Sequence, residues 1–130
     1  MQTKLLRSLL LTAVALCAVP ALAHHSFDAE YDAAKIADFT GVVTQLDWQN
    51  PHAYLYANVK DASGATKNIR FELGPPYALL RGGWKKDIVK MGDTITVTSG
   101  ALAKDPRNNW VGAVGSTTLI LPNGDKLTMR

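Results

Sequence analysis

Three histidines, His24, His25 and His52, are the residues with the clearest capacity for chemistry. A histidine at a chain's N-terminus offers its α-amine and its ring Nδ1 to one ion, and a nitrogen from another histidine completes a copper-type histidine brace. Imidazole and amine nitrogens suit Cu(II), Ni(II) and Zn(II), with Cu(II) favoured by intrinsic affinity. His52 follows the strand-breaking Asn50-Pro51, which predicts a position at a loop or barrel rim. It is therefore a better third ligand than His25, which is adjacent to His24.

His24 becomes an N-terminus only when a leader is removed. Lys4 and Arg7 precede an apolar run from Ser8 to Val19, and Ala21-Leu22-Ala23 has the small-x-small pattern of a cleavage site. The combination predicts a signal peptide over residues 1–23, cleaved after Ala23, and a periplasmic or secreted protein. The apolar run is shorter than the ~20 residues that a membrane span needs.

Removal of the leader changes the charge and the cysteine content of the chain. The formal net charge of +3 falls to +1 without Lys4 and Arg7, which argues against nucleic acid or an anionic membrane as partner. Cys17, the one cysteine, also leaves, so no disulfide, thiolate nucleophile or cysteine metal site remains. Acylation of Cys17 is the alternative, but Leu16 before it fits a lipoprotein signal poorly.

The residues after the cleavage site predict a polar arm over 24–37 that carries three carboxylates, Asp28, Glu30 and Asp32. Because side chains alternate along an extended chain, all three would lie on one side. They would serve as weak oxygen ligands or as groups that orient a histidine ring. A solvated arm is the alternative, and a ring of His52 that hydrogen-bonds a nearby carbonyl is the structural alternative to a ligand.

Residues 38–130 predict a small β-barrel domain. Alternating and β-branched runs predict strands, and a proline followed six residues later by two glycines predicts one short helix. The predicted elements are strands over 38–48, 53–59 and 66–73, a helix over 76–81, a helical turn over 87–91, and strands over 94–98, 111–121 and 126–129. This all-β order with one short helix matches an OB-like barrel of five to six strands. A β-sandwich is the alternative, and it would need about seven strands.

A set of motifs spans nearly all of the mature chain. They are His24-His25-Ser26-Phe27, Glu30-Tyr31-Asp32, Thr40-Gly41-Val42-Val43, Trp48-Gln49-Asn50-Pro51-His52-Ala53, Phe71-Glu72-Leu73-Gly74, Arg81-Gly82-Gly83-Trp84 and Gly92-Asp93. In these motifs the chain resembles short exported bacterial proteins catalogued only as a domain of unknown function. The resemblance implies the domain boundaries and a small β-barrel, and it implies no reaction.

Aromatic and charged side chains of the predicted barrel supply candidate ligand contacts. Tyr54 and Tyr56 share one face of a strand, either as a stacking platform for bases or sugars or as part of the barrel interior. Trp84 follows two glycines, which predicts a lid or a partly exposed anchor. Arg70 lies on the same strand face as Glu72, and the two are either a binding pair or part of a cross-strand salt bridge.

The sequence contains no serine nucleophile elbow, Cys–His pair, H-E-x-x-H motif or glycine-rich phosphate loop. It therefore favours a non-catalytic exported binding module, whose partner is an unknown small molecule or periplasmic protein and not a nucleic acid. The alternative is a periplasmic transition-metal binding protein that uses His24 and His52. A copper-dependent oxidase built on the same brace ranks third.

Overall fold

The computed structural model describes residues 26–130. Residues 31–130 form one compact unit of seven strands and one short helix. The strands are β1 (Tyr31–Asp47), β2 (Tyr54–Lys60), β3 (Thr66–Glu72), β4 (Thr94–Ala103), β5 (Trp110–Gly112), β6 (Thr118–Ile120) and β7 (Lys126–Thr128), and the helix is α1 (Pro76–Arg81).

Five of the strands close into a barrel. The sheet runs in the order β1-β2-β3-β5-β4, and a further pairing of β1 with β4 closes the ring. The β3–β5 pair is parallel and the other pairs in the ring are antiparallel. With α1 between β3 and β4, this is the arrangement of an OB-like barrel. The predicted fold class is confirmed, and the β-sandwich alternative is wrong because one closed sheet forms the domain.

The barrel interior is filled by aliphatic and aromatic side chains. Leu55 and Ala57 of β2, Phe71 of β3, and Val97 of β4 are at most 1 % exposed. The alternation of buried and accessible residues along β2 follows from the two-residue period of a strand. Each strand therefore has one face in the core and one face available for other contacts.

A long, bent first strand allows the barrel to close. β1 pairs with β2 over residues 41–47 and with β4 over residues 31–42, with irregular register at three places. A Cβ on Gly41 would lie 2.6 Å from the carbonyl oxygen of Asn58 on β2. Glycine is needed there because any side chain would force the two strands apart.

The helix α1 packs against the hydrophobic core. It begins at Pro76 and ends at Arg81, and its inward face buries Pro76 and Leu79. Trp84 follows as a fully buried side chain whose backbone N–H donates to the carbonyl of Leu79 at 3.0 Å. The predicted boundaries of the helix are confirmed.

Four of the predicted elements differ from the structure. β1 begins at Tyr31 rather than at residue 38, because backbone pairing with β4 extends it. The single strand predicted over 111–121 is two strands separated by a turn. Residues 87–91 form turns and bends rather than a helical turn, and β4 continues beyond residue 98 to Ala103.

Residues 26–30 belong to a separate unit and are helical. The extended conformation that would align Asp28, Glu30 and Asp32 on one side is therefore not adopted over residues 26–30. In residues 26–130 there is no helix with the length and apolar character needed to span a bilayer.

Candidate functional site

Two tyrosines of β2 lie on the outside of the barrel. Leu55 and Ala57 are 0 % exposed and face the core, so Tyr54 and Tyr56 occupy the opposite face of the strand. Both tyrosines are half-buried. Because β2 and β3 pair in register, these tyrosines stand beside polar residues of β3. They have the outward orientation that a stacking platform requires.

The guanidinium of Arg70 lies against two aromatic rings on this outer face. Its Cζ is 3.9 Å from the ring centroid of Trp110 and 5.0 Å from that of Tyr54. Trp110 reaches this position because β5 runs parallel to β3, with Trp110 opposite Arg70 in the register. Both distances are within the ~6 Å range of attractive cation–π contacts. We call Tyr54, Arg70 and Trp110 the aromatic–arginine cluster.

A series of polar contacts extends from the cluster to the β1–β2 loop. Arg70 Nη2 donates a hydrogen bond to the Tyr31 hydroxyl at 3.1 Å, and that hydroxyl donates to Glu72 Oε2 at 2.9 Å. The other oxygen of Glu72, Oε1, lies 2.8 Å from Nδ1 of His52, which makes an ion pair whenever the ring is protonated. Glu72 therefore connects side chains from β1, β3 and the β1–β2 loop.

Burial and charge keep the Tyr31 hydroxyl protonated. Burial raises the pKa of Tyr31, and the negative charge of Glu72 raises it further, while the hydrogen bond from Arg70 acts in the opposite direction. A phenol in this state remains a hydrogen-bond donor over the whole neutral pH range. The pKa of Tyr56 is also raised, first by partial burial and then by the charge of Asp47.

A groove of about 440 Å³ opens beside the aromatic–arginine cluster. It lies between the outer faces of β2 and β3 and the loop that joins β4 to β5. Its lining residues are Tyr56, Asn68, Arg70, Arg107, Asn108, Asn109 and Trp110. All of them carry a planar amide, guanidinium or aromatic group. Such groups can hydrogen-bond to hydroxyls and also pack against the flat face of a ring.

The second arginine of the groove is held in place by a neighbouring carboxylate. Arg107 donates from Nε to Asp105 Oδ1 at 2.9 Å and from Nη2 to Asp105 Oδ2 at 2.6 Å. These hydrogen bonds lower the pKa of Asp105. An exposed pair of this kind contributes little to stability, so its effect is to orient the guanidinium at the edge of the groove.

A second cavity of about 480 Å³ lies at the end of the barrel. Its apolar lining includes Phe39, Val59, Ile69 and Leu102. Asn108, Asn109 and Trp110 line this cavity and the groove alike. The two spaces are therefore adjacent.

The comparison with family models identifies the group to which the chain is related. A model described as a family of unknown function, DUF6152, matches residues 12–112. The chain belongs to this family. No curated protein and no solved structure matches the chain. The family supports the predicted resemblance and adds no activity, so the function has to be argued from the site.

The structure brings four of the predicted site residues into one region. Tyr54, Tyr56 and Arg70 lie on the outer face of β2 and β3, and His52 lies in the adjoining β1–β2 loop. The prediction that His52 occupies a loop is confirmed. Its Nδ1 lies 2.8 Å from a carboxylate oxygen of Glu72, whereas the structural alternative expected a backbone carbonyl as the partner.

Trp84 is the predicted contact that the structure places elsewhere. It is 1 % exposed and belongs to the hydrophobic core. Its Nε1 donates to the carbonyl of Thr128 at 2.6 Å, and its ring centroid lies 6.5 Å from that of Trp48. The prediction of a lid or partly exposed anchor is wrong, because Gly82-Gly83 turns the chain inward and seats the indole under α1.

The predicted metal ligands are only partly described. His24 and His25 lie outside the described residues. Asp32, within β1, accepts a backbone hydrogen bond from Ala34 and pairs with Lys35 at 3.5 Å. Within residues 26–130 no three His, Cys, Asp or Glu side chains are grouped so that they could hold a metal ion.

Several residues of the site were not predicted as contacts, among them Tyr31, Arg107 and Trp110. Tyr31 lies in the segment predicted as an arm, so no signal placed it beside Glu72. Arg107 lies within the polar loop between β4 and β5, and Trp110 is the first residue of β5. Since the β4–β5 loop and the β2–β3 face carry the ligands of OB-type barrels, the fold prediction itself was the signal that could have found them.

Proposed function

We propose that this protein is a binding module whose ligand contacts the outer face of β2, β3 and β5 and the loops at either side. The observation that supports it is the aromatic–arginine cluster beside a groove lined by planar polar groups. This is the face that OB-type barrels use for oligonucleotides and oligosaccharides. The likeness is one of fold, so the ligand class has to be argued from the side chains.

The charges of this face favour an oligosaccharide. Arg70 and Arg107 are accompanied by three carboxylates, Glu72, Asp105 and Asp47. A nucleic acid would need unbalanced cations along its phosphates. A sugar ring instead needs an apolar face to stack on and planar donors and acceptors around it, which Tyr56, Trp110 and the asparagines of the groove supply.

The test is a screen of defined neutral and acidic oligosaccharides of increasing length, followed by calorimetry on any that bind. We expect Tyr56→Ala to weaken binding at least tenfold, about 1.4 kcal/mol. Tyr77→Ala, which changes an exposed tyrosine of α1, is the matched control and should bind as the unmodified protein does. Failure of every oligosaccharide to bind, with binding of a single-stranded oligonucleotide instead, would refute the ligand class.

The noncatalytic assignment rests on the same residues. The polar groups of the site are engaged with one another: Tyr31 donates to Glu72, Arg70 donates to Tyr31, and Arg107 donates to Asp105. They form a fixed recognition surface. Assays that follow the chemical integrity of a bound oligosaccharide should recover it unchanged.

Transition-metal binding is a second candidate, and one observation favours it. The carboxylate of Glu72 next to Nδ1 of His52 is the arrangement that orients metal-binding histidines for coordination through the other nitrogen. With the predicted N-terminal His24, this proposal requires Cu(II) binding that is lost when one residue is added before His24. Equal binding by the extended form would contradict it.

Export is proposed together with these functions. It is supported by the leader pattern of residues 1–23. The intact mass of the protein recovered after secretion reports the cleavage site directly. A mass that corresponds to any first residue other than His24 would refute cleavage after Ala23 and the histidine brace with it.

A further inference from the structure

Three exposed apolar side chains lie close together in the sequence around α1. Tyr77 is 63 % exposed, Leu80 is 54 % exposed and Met91 is 79 % exposed. They account for three of the five large hydrophobic residues that are exposed in the described part of the chain. Tyr77 and Leu80 are three residues apart on one helix, so they share a face. We call residues 77–91 the cap segment.

The cap segment also carries most of the chain's unbalanced positive charge. Arg81, Lys85, Lys86 and Lys90 are exposed, and Asp87 is the one acidic residue among them. The segment therefore has a charge of +3, whereas the remaining residues after position 23 sum to −2. Within the described residues, none of the three lysines has an ion-pair partner. The low net charge of the chain after position 23 is therefore the sum of a positively charged cap segment and a negatively charged remainder.

Buried residues of the cap segment anchor it to the core and keep its exposed side chains on the surface. Leu79 and Trp84, each 1 % exposed, and Val89, 5 % exposed, anchor the cap segment in the core. The hydrogen bond from Trp84 Nε1 to the Thr128 carbonyl ties the middle of the segment to the end of β7. The exposed side chains are therefore a permanent surface feature.

We propose that the cap segment is a docking surface for an anionic phospholipid bilayer. Apolar side chains interspersed with lysines and an arginine suit insertion among lipid headgroups, where the cations meet phosphate and the apolar groups reach the acyl boundary. A protein partner fits less well, because lysine is depleted in protein interfaces. The surface uses none of the side chains of the proposed oligosaccharide face, so each can operate without the other.

Vesicle cosedimentation tests this surface. The protein as recovered from its host, with its N-terminus verified by intact mass, is mixed with vesicles of phosphatidylcholine alone or of phosphatidylcholine and phosphatidylglycerol in equal parts. We expect partitioning at least tenfold stronger on the anionic vesicles, and a steep loss on addition of salt because the cations are exposed. Equal partitioning onto both vesicles would overturn the proposal.

Matched variants separate the cap segment from general electrostatics. The charge reversal K85E/K86E should reduce partitioning at least tenfold, whereas K60E/K126E changes the net charge equally at exposed lysines elsewhere and should stay within about twofold of the unmodified protein. The pair Y77S/L80S should reduce it at least threefold. An equal loss in K60E/K126E, or no loss in Y77S/L80S, would overturn the proposal.

The same variants report on competing occupants. Thermal unfolding of each variant confirms that it is folded before partitioning is compared. A chain that forms dimers by light scattering, with dimerisation lost in Y77S/L80S and with no vesicle binding, would assign the surface to a second copy and overturn the lipid proposal. Vesicle binding by a monomer, lost in both cap variants, would support it.

Discussion

Removal of one hydroxyl group tests the polar network that supports the proposed binding face. Tyr31 is only 1 % exposed. The substitution Tyr31→Phe keeps the aromatic ring and opens no cavity in the core. It deletes the hydrogen bond donated to Glu72 Oε2 at 2.9 Å and the one accepted from Arg70 Nη2 at 3.1 Å. The substitution therefore removes two hydrogen bonds that have charged partners.

The expected cost follows from those two bonds. A hydrogen bond to a charged group contributes about 1.5–3 kcal/mol. Two full contributions would total about 3–6 kcal/mol. Since Glu72 and Arg70 are both half-buried and water can replace part of the lost interaction, we expect a smaller total of about 2–3 kcal/mol. With a urea dependence of about 1–3 kcal/mol per molar for a small domain, the unfolding midpoint should fall by about 1–2 M.

The pH dependence of this difference has a definite sign. The pKa of Tyr31 is raised, mainly by burial and then by Glu72. The folded protein therefore holds its proton where the unfolded chain releases it. The stabilisation is complete below the unfolded pKa of about 10 and is lost as the pH rises above it. Tyr31→Phe has no such proton, so the two proteins should converge in stability above pH ~10.

Urea unfolding, followed by circular dichroism at neutral pH and at several alkaline values, measures both effects. Tyr77→Phe is the matched control, because Tyr77 is 63 % exposed and loss of its hydroxyl should cost less than about 0.5 kcal/mol. A cost for Tyr31→Phe no larger than that of the control would refute the reasoning. So would a difference that stays constant through the alkaline range.

Three further measurements follow from single contacts. Trp84→Phe removes the hydrogen bond to the Thr128 carbonyl and part of a core side chain, and urea unfolding should show a loss of about 2–4 kcal/mol; a loss under 1 kcal/mol would contradict its place in the core. Gly41→Ala places a Cβ 2.6 Å from a β2 carbonyl and should cost about 1–3 kcal/mol, whereas Gly115→Ala, which meets nothing within 4 Å, should not. Asp47→Asn removes a charge that raises the pKa of Tyr56, so the phenol absorbance should titrate at lower pH; an unchanged or higher midpoint would contradict that cause.

The elements whose conformation depends on residues close in the sequence were predicted correctly. The helix α1 begins with proline and ends before two glycines, and its predicted bounds match the structure. β2 and β3 have a clear two-residue period, and their predicted bounds differ from the observed ones by one residue at most. The barrel class followed from the order of these elements, because a helix between the third and fourth strands is typical of the OB arrangement.

Elements controlled by distant contacts were not predictable in this way. The first residues of β1, YDAAKIA, lack a strand period, and they are extended because β4 pairs with them. The predicted strand over 111–121 breaks because Thr117 Oγ1 accepts a hydrogen bond from the Val114 N–H and donates one to the Ser99 carbonyl, both at 2.8 Å. A side chain that satisfies the backbone in this way competes with a continuous strand.

The same division between local signals and distant contacts explains why only part of the candidate site was predicted. Tyr54 and Tyr56 could be placed on one face from the period of β2 alone. The pairing of Arg70 with Trp110 depends on the parallel contact of β3 with β5, which joins residues forty positions apart. The two glycines before Trp84 predict a lid or a partly exposed anchor, whereas in the structure the indole lies in the core with 1 % exposure.

The filled interior explains why recognition has to occur on the outer surface. Leu55, Phe71 and Val97 occupy the space between the barrel walls with at most 1 % exposure, so a ligand there would displace core contacts. The residues with accessible polar groups are on the opposite faces of the same strands. Substitutions such as Tyr56→Ala can therefore remove ligand contacts while the core that determines folding stays intact, and this separation is what makes the proposed binding face testable by mutation.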